Sequence, residues 1–343
     1  MSAFAQTMGA QALPPIRLGP IQIETPAILA PMSGITDIGM RRAAARFGAG
    51  LVVSEMVAAS FYLAADEETR LRAEGEGLPI HVVQIAGRDP AAMAEAARLA
   101  EGAGAHAIDI NMGCPAKRVV GGYAGSALMR EPELAVALAR ETVAAVKIPV
   151  SAKMRLGWDA SDINAPELAR RLESEGVALV TVHGRTRQQF YKGQADWAAI
   201  HAVREAIAIP LVANGDCDGC ASAQAMIAAS GADAAMVGRA AVGRPWLVGE
   251  IGAALAGRDW LEPTNADKAE AALDHYASLL STFGKDQGVR HARKHLAAYS
   301  DAAAASGAGL PRALRARLVT TTDADEAAAL LARCWAEQAE EAA

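Results

Sequence analysis

From residue 28 onward the chain repeats one pattern: a short continuous apolar run, a glycine-rich or polar corner, then an alanine-rich stretch at helical spacing. Eight apolar runs are predicted as strands, at 28–30, 51–54, 81–85, 107–110, 150–153, 179–182, 211–213 and 234–237. Most are apolar throughout rather than alternating, as expected for parallel strands covered on both faces. Helical patterns fall between them at 89–102, 131–146, 165–175 and 221–229. Several begin at an acid or proline and stop at glycine, the residues that favour helix starts and ends. Eight β-α units favour an α/β fold closed into a (β/α)8 TIM barrel over an open doubly wound sheet. No Gly-x-Gly-x-x-Gly follows the first strand, as a dinucleotide fold would require.

After Gly257 the rhythm stops. Ala272, Leu273, Tyr276, Leu279, Leu280 and Phe283 then form one helical stripe, and Val289, Ala292, Leu296 and Tyr299 another. The expected organisation is a flexible tail at 1–14, a barrel over 15–260 and a small C-terminal helical domain over 264–343. Segment 285–317 holds seven Lys/Arg against two acids, whereas 318–343 holds six acids and one Arg. Charge alone allows a solvated helix face as readily as an RNA-binding one.

Composition changes this picture little. Hydrophobic residues are 52% and charged residues 21%, ordinary for a globular protein, and aromatics at 4% leave the core to Ala, Val, Leu and Ile. The net charge of −6 argues mildly against nucleic acid, though a local patch matters more than the sum. Cys114, Cys217, Cys220 and Cys334 have no framework spacing, which suits a reducing compartment. Cys217 and Cys220 make a Cys-x-x-Cys with no second pair, so small residues at a strand-to-helix turn are expected there, and no metal. The first Lys or Arg is Arg17 and no apolar run reaches the ~18 residues of a membrane span, so a cytoplasmic protein, monomeric and away from membranes, is expected.

Barrel enzymes build their sites from the C-terminal strand ends. Here these read Pro31-Met32-Ser33, Glu55-Met56, Gln84, Asn111 with Cys114, Lys153 with Arg155, His183-Gly184-Arg185, Asn214-Gly215-Asp216 and Gly238-Arg239. Each alone could be a satisfied loop residue; together they crowd one rim with polar groups. The last two corners suit a phosphate, through backbone N–H groups freed by glycine and the charge of Arg239. Lys153 suits a group bearing negative charge, with a structural salt bridge as the alternative.

Five motifs make the reading specific: Ala30-Pro31-Met32-Ser33-Gly34-Ile35-Thr36-Asp37, Asp109-Ile110-Asn111-Met112-Gly113-Cys114-Pro115, His183-Gly184-Arg185-Thr186-Arg187, Asn214-Gly215-Asp216 and Gly238-Arg239. In this order they resemble the tRNA-dihydrouridine synthase family. Val289-Arg290-His291-Ala292-Arg293-Lys294-His295 is similar to the C-terminal signature of its bacterial B-type branch, also described as nitrogen-regulation-like. The resemblance runs from about residue 16 to about 335. It implies an oxidoreductase with bound FMN that reduces the C5=C6 bond of uridine in the D-loop of tRNA, with NADPH as hydride donor and NADH as the alternative.

Carried over by motif, Pro31, Met32, Ser33, Gln84 and Asn111 would line the flavin, with Lys153 near N1/O2 and His183 as a further flavin-side contact. Asn214, Gly215, Asp216, Gly238 and Arg239 would hold its ribityl phosphate end. Cys114 would be the proton donor to C5. A thiol, with a reference pKa near ~8.5, is mostly protonated at neutral pH, whereas a carboxylic acid would need heavy tuning. A uridine in folded tRNA must swing out to reach such a site. Lys117, Arg118, Arg155, Arg185, Arg187 and Lys192 near the mouth, with Arg290, Arg293 and Lys294, would track the RNA backbone.

Three rival readings are open at this level: a flavin barrel acting on a small pyrimidine, similar to dihydroorotate dehydrogenase; a tRNA-binding regulator without catalysis; and a lyase using Lys153 as a Schiff base. The basic helical segment speaks against the first and the intact strand-end set against the second.

Overall fold

A computed structural model describes residues 12–116 and 124–336. The chain opens with a hairpin, β1 (Ile16–Leu18) against β2 (Ile21–Ile23), absent from the sequence expectation. The main sheet then takes β3 (Ala27–Leu29), β4 (Leu51–Val52), β5 (Val57–Ala58), β6 (Val82–Ala86), β7 (Ala107–Met112) and β8 (Val150–Arg155). A small antiparallel pair follows, β9 (Gly157–Asp159) and β10 (Asp162–Ile163), also not foreseen. β11 (Leu179–His183), β12 (Leu211–Asn214) and β13 (Ala234–Val237) complete the set.

The nine-stranded sheet runs β4-β3-β13-β12-β11-β8-β7-β6-β5, and every pair is parallel. A single bridge between Val53 and Val82 joins its two ends, so the sheet closes into the barrel that eight β-α units imply. The second strand is the irregular one. It was expected over 51–54, but its ladder breaks after Val52. Ser54 explains the break: its hydroxyl donates to the Glu55 carbonyl and accepts from the Gln84 N–H, replacing ladder bonds with side-chain ones.

Helices cover the outside of the barrel with an alanine- and leucine-rich face. Helix Pro90–Gly102 shows why they start where they do: Asp89 accepts from the Ala92 N–H at 2.8 Å, and Pro90 occupies the first turn. A separate apolar cluster joins Ile16, Leu18 and Ile23 of the hairpin to Leu51, Val82, Ala107, Leu179 and Ala234. Those five are the first residues of their strands, so the hairpin plugs the N-terminal end of the barrel. Leu13 is already tied down by its N–H to the Leu255 carbonyl at 2.8 Å. Residues 1–11 of the expected tail lie outside the described residues.

Thr264 and Asp267 form a capping box that starts a long helical stretch, Asn265–Ala305. Gly284, at φ +73°, divides it into two arms that fold back on each other. A Cβ on Gly288 would sit 2.8 Å from the Leu280 Cα, so only glycine permits this approach. Tyr276, Leu279, Val289, Leu296 and Tyr299 pack there with Leu318, Leu331, Trp335 and the barrel residue Trp246. The two expected helical stripes are therefore the facing sides of one hairpin. Among the described residues no helix is long and apolar enough to cross a membrane.

Candidate active site

With the N-terminal end plugged, the polar strand ends surround a cavity of about 1150 Å³ at the other end. Pro31, Met32, Ser33, Gln84, Asn111, Cys114, Lys153, His183, Asn214, Gly215, Asp216, Gly238 and Arg239 all line it. The fold thus brings together in one wall residues spread over more than two hundred positions.

A chain of hydrogen bonds fixes the β6–β8 side. Ser151 Oγ donates to Asp109 Oδ1 at 2.7 Å, and Gln84 Nε2 donates to Asp109 Oδ2 at 2.6 Å. Asn111 Nδ2 donates to Gln84 Oε1 at 2.7 Å. Asn111 Oδ1 in turn accepts from the N–H groups of Gly113 and Cys114, at 3.2 and 3.0 Å. The Cys114 carbonyl accepts from Ser126 through both its N–H (3.0 Å) and its hydroxyl (2.9 Å). Both faces of the Cys114 peptide are therefore held, while its half-buried thiol lines the cavity. Burial pushes the Asp109 carboxyl above its usual range, against the pull of its Gln84 and Ser151 hydrogen bonds.

Across the cavity, Lys153 Nζ donates to Asn214 Oδ1 at 2.9 Å, and Asn214 Nδ2 donates to the Met236 carbonyl at 2.9 Å. Burial, with Arg155 nearby, pushes the Lys153 ammonium down to about 8. Among the described residues its hydrogen bond goes to a neutral amide and no carboxylate lies within salt-bridge distance. Burial and then the charges of Lys153, Arg155, Arg185 and Arg239 hold His183 well below the ordinary imidazole range, so its ring is neutral.

At the phosphate-type corner, Gly215 adopts φ +121° and Asp216 φ +54°, a left-handed conformation rare outside glycine. Asp216 accepts from Arg185 at 2.6 Å and from the Ala195 N–H at 2.8 Å, and reaches Arg239 at 3.4 Å. Burial raises its carboxyl, but the Arg185 and Ala195 bonds outweigh this and the net shift is downward. Asp216 thus acts as an arginine organiser, and Arg239, largely exposed, supplies the positive charge at the rim.

The expected RNA-tracking residues separate into groups. Lys117 and Arg118 lie outside the described residues. Arg155 and Arg185 correct the expectation: each is 1% exposed. Arg155 donates to the carbonyls of Gly113, Thr186 and Phe190, and Arg185 to those of Lys192 and Gly193. Their guanidiniums brace the loops of the mouth, Arg155 through backbone oxygens and Arg185 through backbone oxygens and the Asp216 carboxylate. Arg187 is half-buried, 4.7 Å from the ring centroids of both Trp158 and Phe190. Lys192, Arg290 and Lys294 are exposed, while Arg293 is partly buried and reaches the Thr320 carbonyl at 3.3 Å. Lys294 Nζ stands 3.3 Å from where a Gly34 Cβ would lie, which brings the helical hairpin to the edge of the cavity loop.

Sequence reading gave no role to Asp109, Ser151 or Glu55, although it placed Glu55 at a strand end and Asp109 within a motif. Glu55 accepts from the Gly34 N–H and so pins the cavity loop 31–35. An acid inside the apolar run at 107–110 was the available signal for Asp109. Tyr191, 54% exposed at the mouth between Arg155 and Arg239, carried no signal in the sequence.

The profile of the dihydrouridine synthase (Dus) family matches residues 28–340. The chain is 50% identical over 311 residues to a probable tRNA-dihydrouridine synthase of Rhizobium leguminosarum bv. phaseoli, covering 91% of this chain and 95% of that protein. It is 49% identical over 327 residues to the one of Rhodobacter capsulatus, covering 94% and 98%. It is 46% identical over 288 residues to the tRNA-dihydrouridine synthase B of Xanthomonas axonopodis pv. citri, covering 83% and 86%. Among solved structures, histamine dehydrogenase from Rhizobium sp. 4-9 shares the fold, with a TM-score of 0.54 at 13% identity over 78% of this chain and 51% of that one.

Proposed function

This chain belongs to the dihydrouridine synthase family and is a tRNA-dihydrouridine synthase; on that premise we propose that its cavity holds FMN, that NADPH supplies the reducing equivalents, and that the uridine reduced lies in the D-loop. The observation that carries this reading is Lys153: a half-buried ammonium whose hydrogen bond, among the described residues, goes to the Asn214 amide oxygen, at the wall of a cavity of cofactor size. An anionic ring edge beside it satisfies the charge. The open corner at Gly215 and Gly238, with Arg239 at the rim, fits a phosphate.

When bound, the flavin supplies the hydride that C6 of the uracil receives. The chain's own residues do the rest. Lys153 offsets negative charge at the ring edge, and neutral His183 offers a hydrogen bond without adding repulsion between cations. Pro31 and Met32 give apolar lining, Ser33 a hydroxyl at the edge, and Gln84 and Asn111 amide contacts. Hydride addition at C6 leaves a carbanion delocalised from C5 onto O4; the Cys114 thiol gives C5 its proton and the thiolate recovers one from water. Arg187, Lys192, Arg290 and Lys294 attract the RNA backbone, and the C-terminal helices, 264–343, act as the tRNA-binding part.

The test uses the purified chain, an unmodified tRNA transcript, NADPH and FMN, with dihydrouridine quantified and located by mass spectrometry. The expected result is dihydrouridine in the D-loop for the wild type. Cys114→Ala keeps its flavin absorbance and loses about 10²-fold or more in rate. Full activity in Cys114→Ala would remove it from the proton-donor role.

A further inference from the structure

A second cluster of chemistry lies outside the cavity, where the helical hairpin meets the first loop of the barrel. Asp37 caps helix Ile38–Arg46 by accepting from the Met40 N–H at 3.1 Å. His275 Nε2 stands 3.1 Å from both of its carboxylate oxygens, and His295 Nε2 stands 3.5 Å from Oδ2. One ligand atom from each of the three residues falls within 4.8 Å of the others. Both histidines are shut away from solvent, His275 at 1% and His295 at 2% exposure.

His295 is the anomaly. Neither of its ring nitrogens has a hydrogen-bond partner among the described residues, although the ring is buried. Buried polar atoms are nearly always paired, because desolvation without a partner is costly.

We propose that Asp37, His275 and His295 bind one divalent first-row transition ion, zinc being the best fit. Two imidazole nitrogens and a carboxylate are a donor set zinc favours. Bonds of about 2.0–2.2 Å at tetrahedral angles separate ligand atoms by about 3.3–3.5 Å. The observed separations of 3.1 and 3.5 Å from Asp37 bracket that range. His275 already has the outer partner that metal-bound histidines use, with Nδ1 3.0 Å from the Tyr299 hydroxyl. The ion ties together positions 238 apart in the chain, so its role is to clamp the hairpin to the barrel. It takes no part in the redox step, and because no local spacing links the ligands the sequence reading expected no metal.

The experiment uses the full chain, stripped with a chelator, dialysed and titrated with Co²⁺ as a visible probe before displacement by Zn²⁺. Expected are one equivalent bound per chain, weak ligand-field bands without intense thiolate-to-metal absorption, and a rise in melting temperature with the ion. His295→Ala weakens binding by at least tenfold, while the double variant Cys217→Ser, Cys220→Ser binds as the wild type does. Three results overturn the proposal: no uptake by the wild type, a thiolate-type spectrum that vanishes in the cysteine variant, or unchanged affinity in His295→Ala. Should His295→Ala fail to fold, the wild-type spectrum and stoichiometry alone decide.

Discussion

The Asn111 side-chain oxygen accepts from the Cys114 backbone N–H at 3.0 Å while the same amide donates to Gln84 at 2.7 Å. One side chain therefore sets both the height of the thiol loop and the orientation of a cavity-wall amide. Asn111→Ala is expected to lower kcat by about 10- to 10²-fold through misplacement of the thiol, because catalytic groups tolerate little displacement. Rapid-reaction measurement of flavin oxidation by tRNA, with flavin content checked by absorbance, tests this.

Lys153 gives a pH dependence of known sign. Its pKa falls from 10.5 to about 8 in the fold, so the ammonium form is disfavoured relative to the unfolded chain. Stability of the cofactor-free protein carries that penalty in full below about pH 8 and sheds it as pH rises toward 10.5. Binding of an anionic ligand that needs the ammonium goes the other way, weakening as pH rises through about 8. FMN affinity measured by fluorescence between pH 6 and 10 is expected to decline in the wild type and stay flat in Lys153→Met.

Removing the Asp216 carboxylate strands Arg185, whose side chain is only 2% exposed. Asp216→Ala is expected to destabilise the fold by about 3 kcal/mol, the usual scale for breaking one partner of a buried pair. Its φ of +54° adds strain for alanine, so Asp216→Gly is expected to recover a fraction of the loss. Equilibrium unfolding in urea gives both values.

Gly243 marks the closest approach of barrel and hairpin. It sits at φ +76°, and a Cβ there would lie 2.3 Å from the Ala298 carbonyl oxygen. Gly243→Ala is expected to push the hairpin off its seat, raise protease susceptibility near Trp246 and reduce activity on tRNA more than FMN retention.

RNA attraction should read out as salt dependence. Each phosphate contact contributes a slope of about −0.7 to −0.9 to log K against log salt. Lys192→Ala combined with Arg290→Ala is expected to flatten the slope by up to about 1.8. Arg155→Ala should instead damage the fold of the mouth, since its guanidinium serves three carbonyls.

The barrel was legible because strands buried on both faces leave an apolar run in the sequence wherever they occur. The rim was legible because each such run ends in a polar residue, Gln84, Asn111, Lys153 or Asn214, that the fold then gathers. What escaped reading depends on distance in the chain. Arg155 and Arg185 look like free charges until carbonyls from remote loops are seen around them. Glu55 gains its purpose from the Gly34 amide, and Asp37, which caps its own helix, gains a second set of partners from two histidines in the hairpin. The short hairpin β1–β2 has too few residues for a period to register, yet its three apolar side chains stopper the barrel.

The barrel's staves are most thinly joined at the second strand: two residue pairs tie it to β3 and two tie β5 to β6, and between them the seam holds by the Val53–Val82 bridge, the Ser54 N–H to the Val82 carbonyl and the Ser54 hydroxyl. A hoop with one weak joint opens there first. Amide deuteration should accordingly start at that joint and spread to Glu55 and the loop it anchors, so this flank of the mouth is the one that can yield when a bulky nucleotide enters.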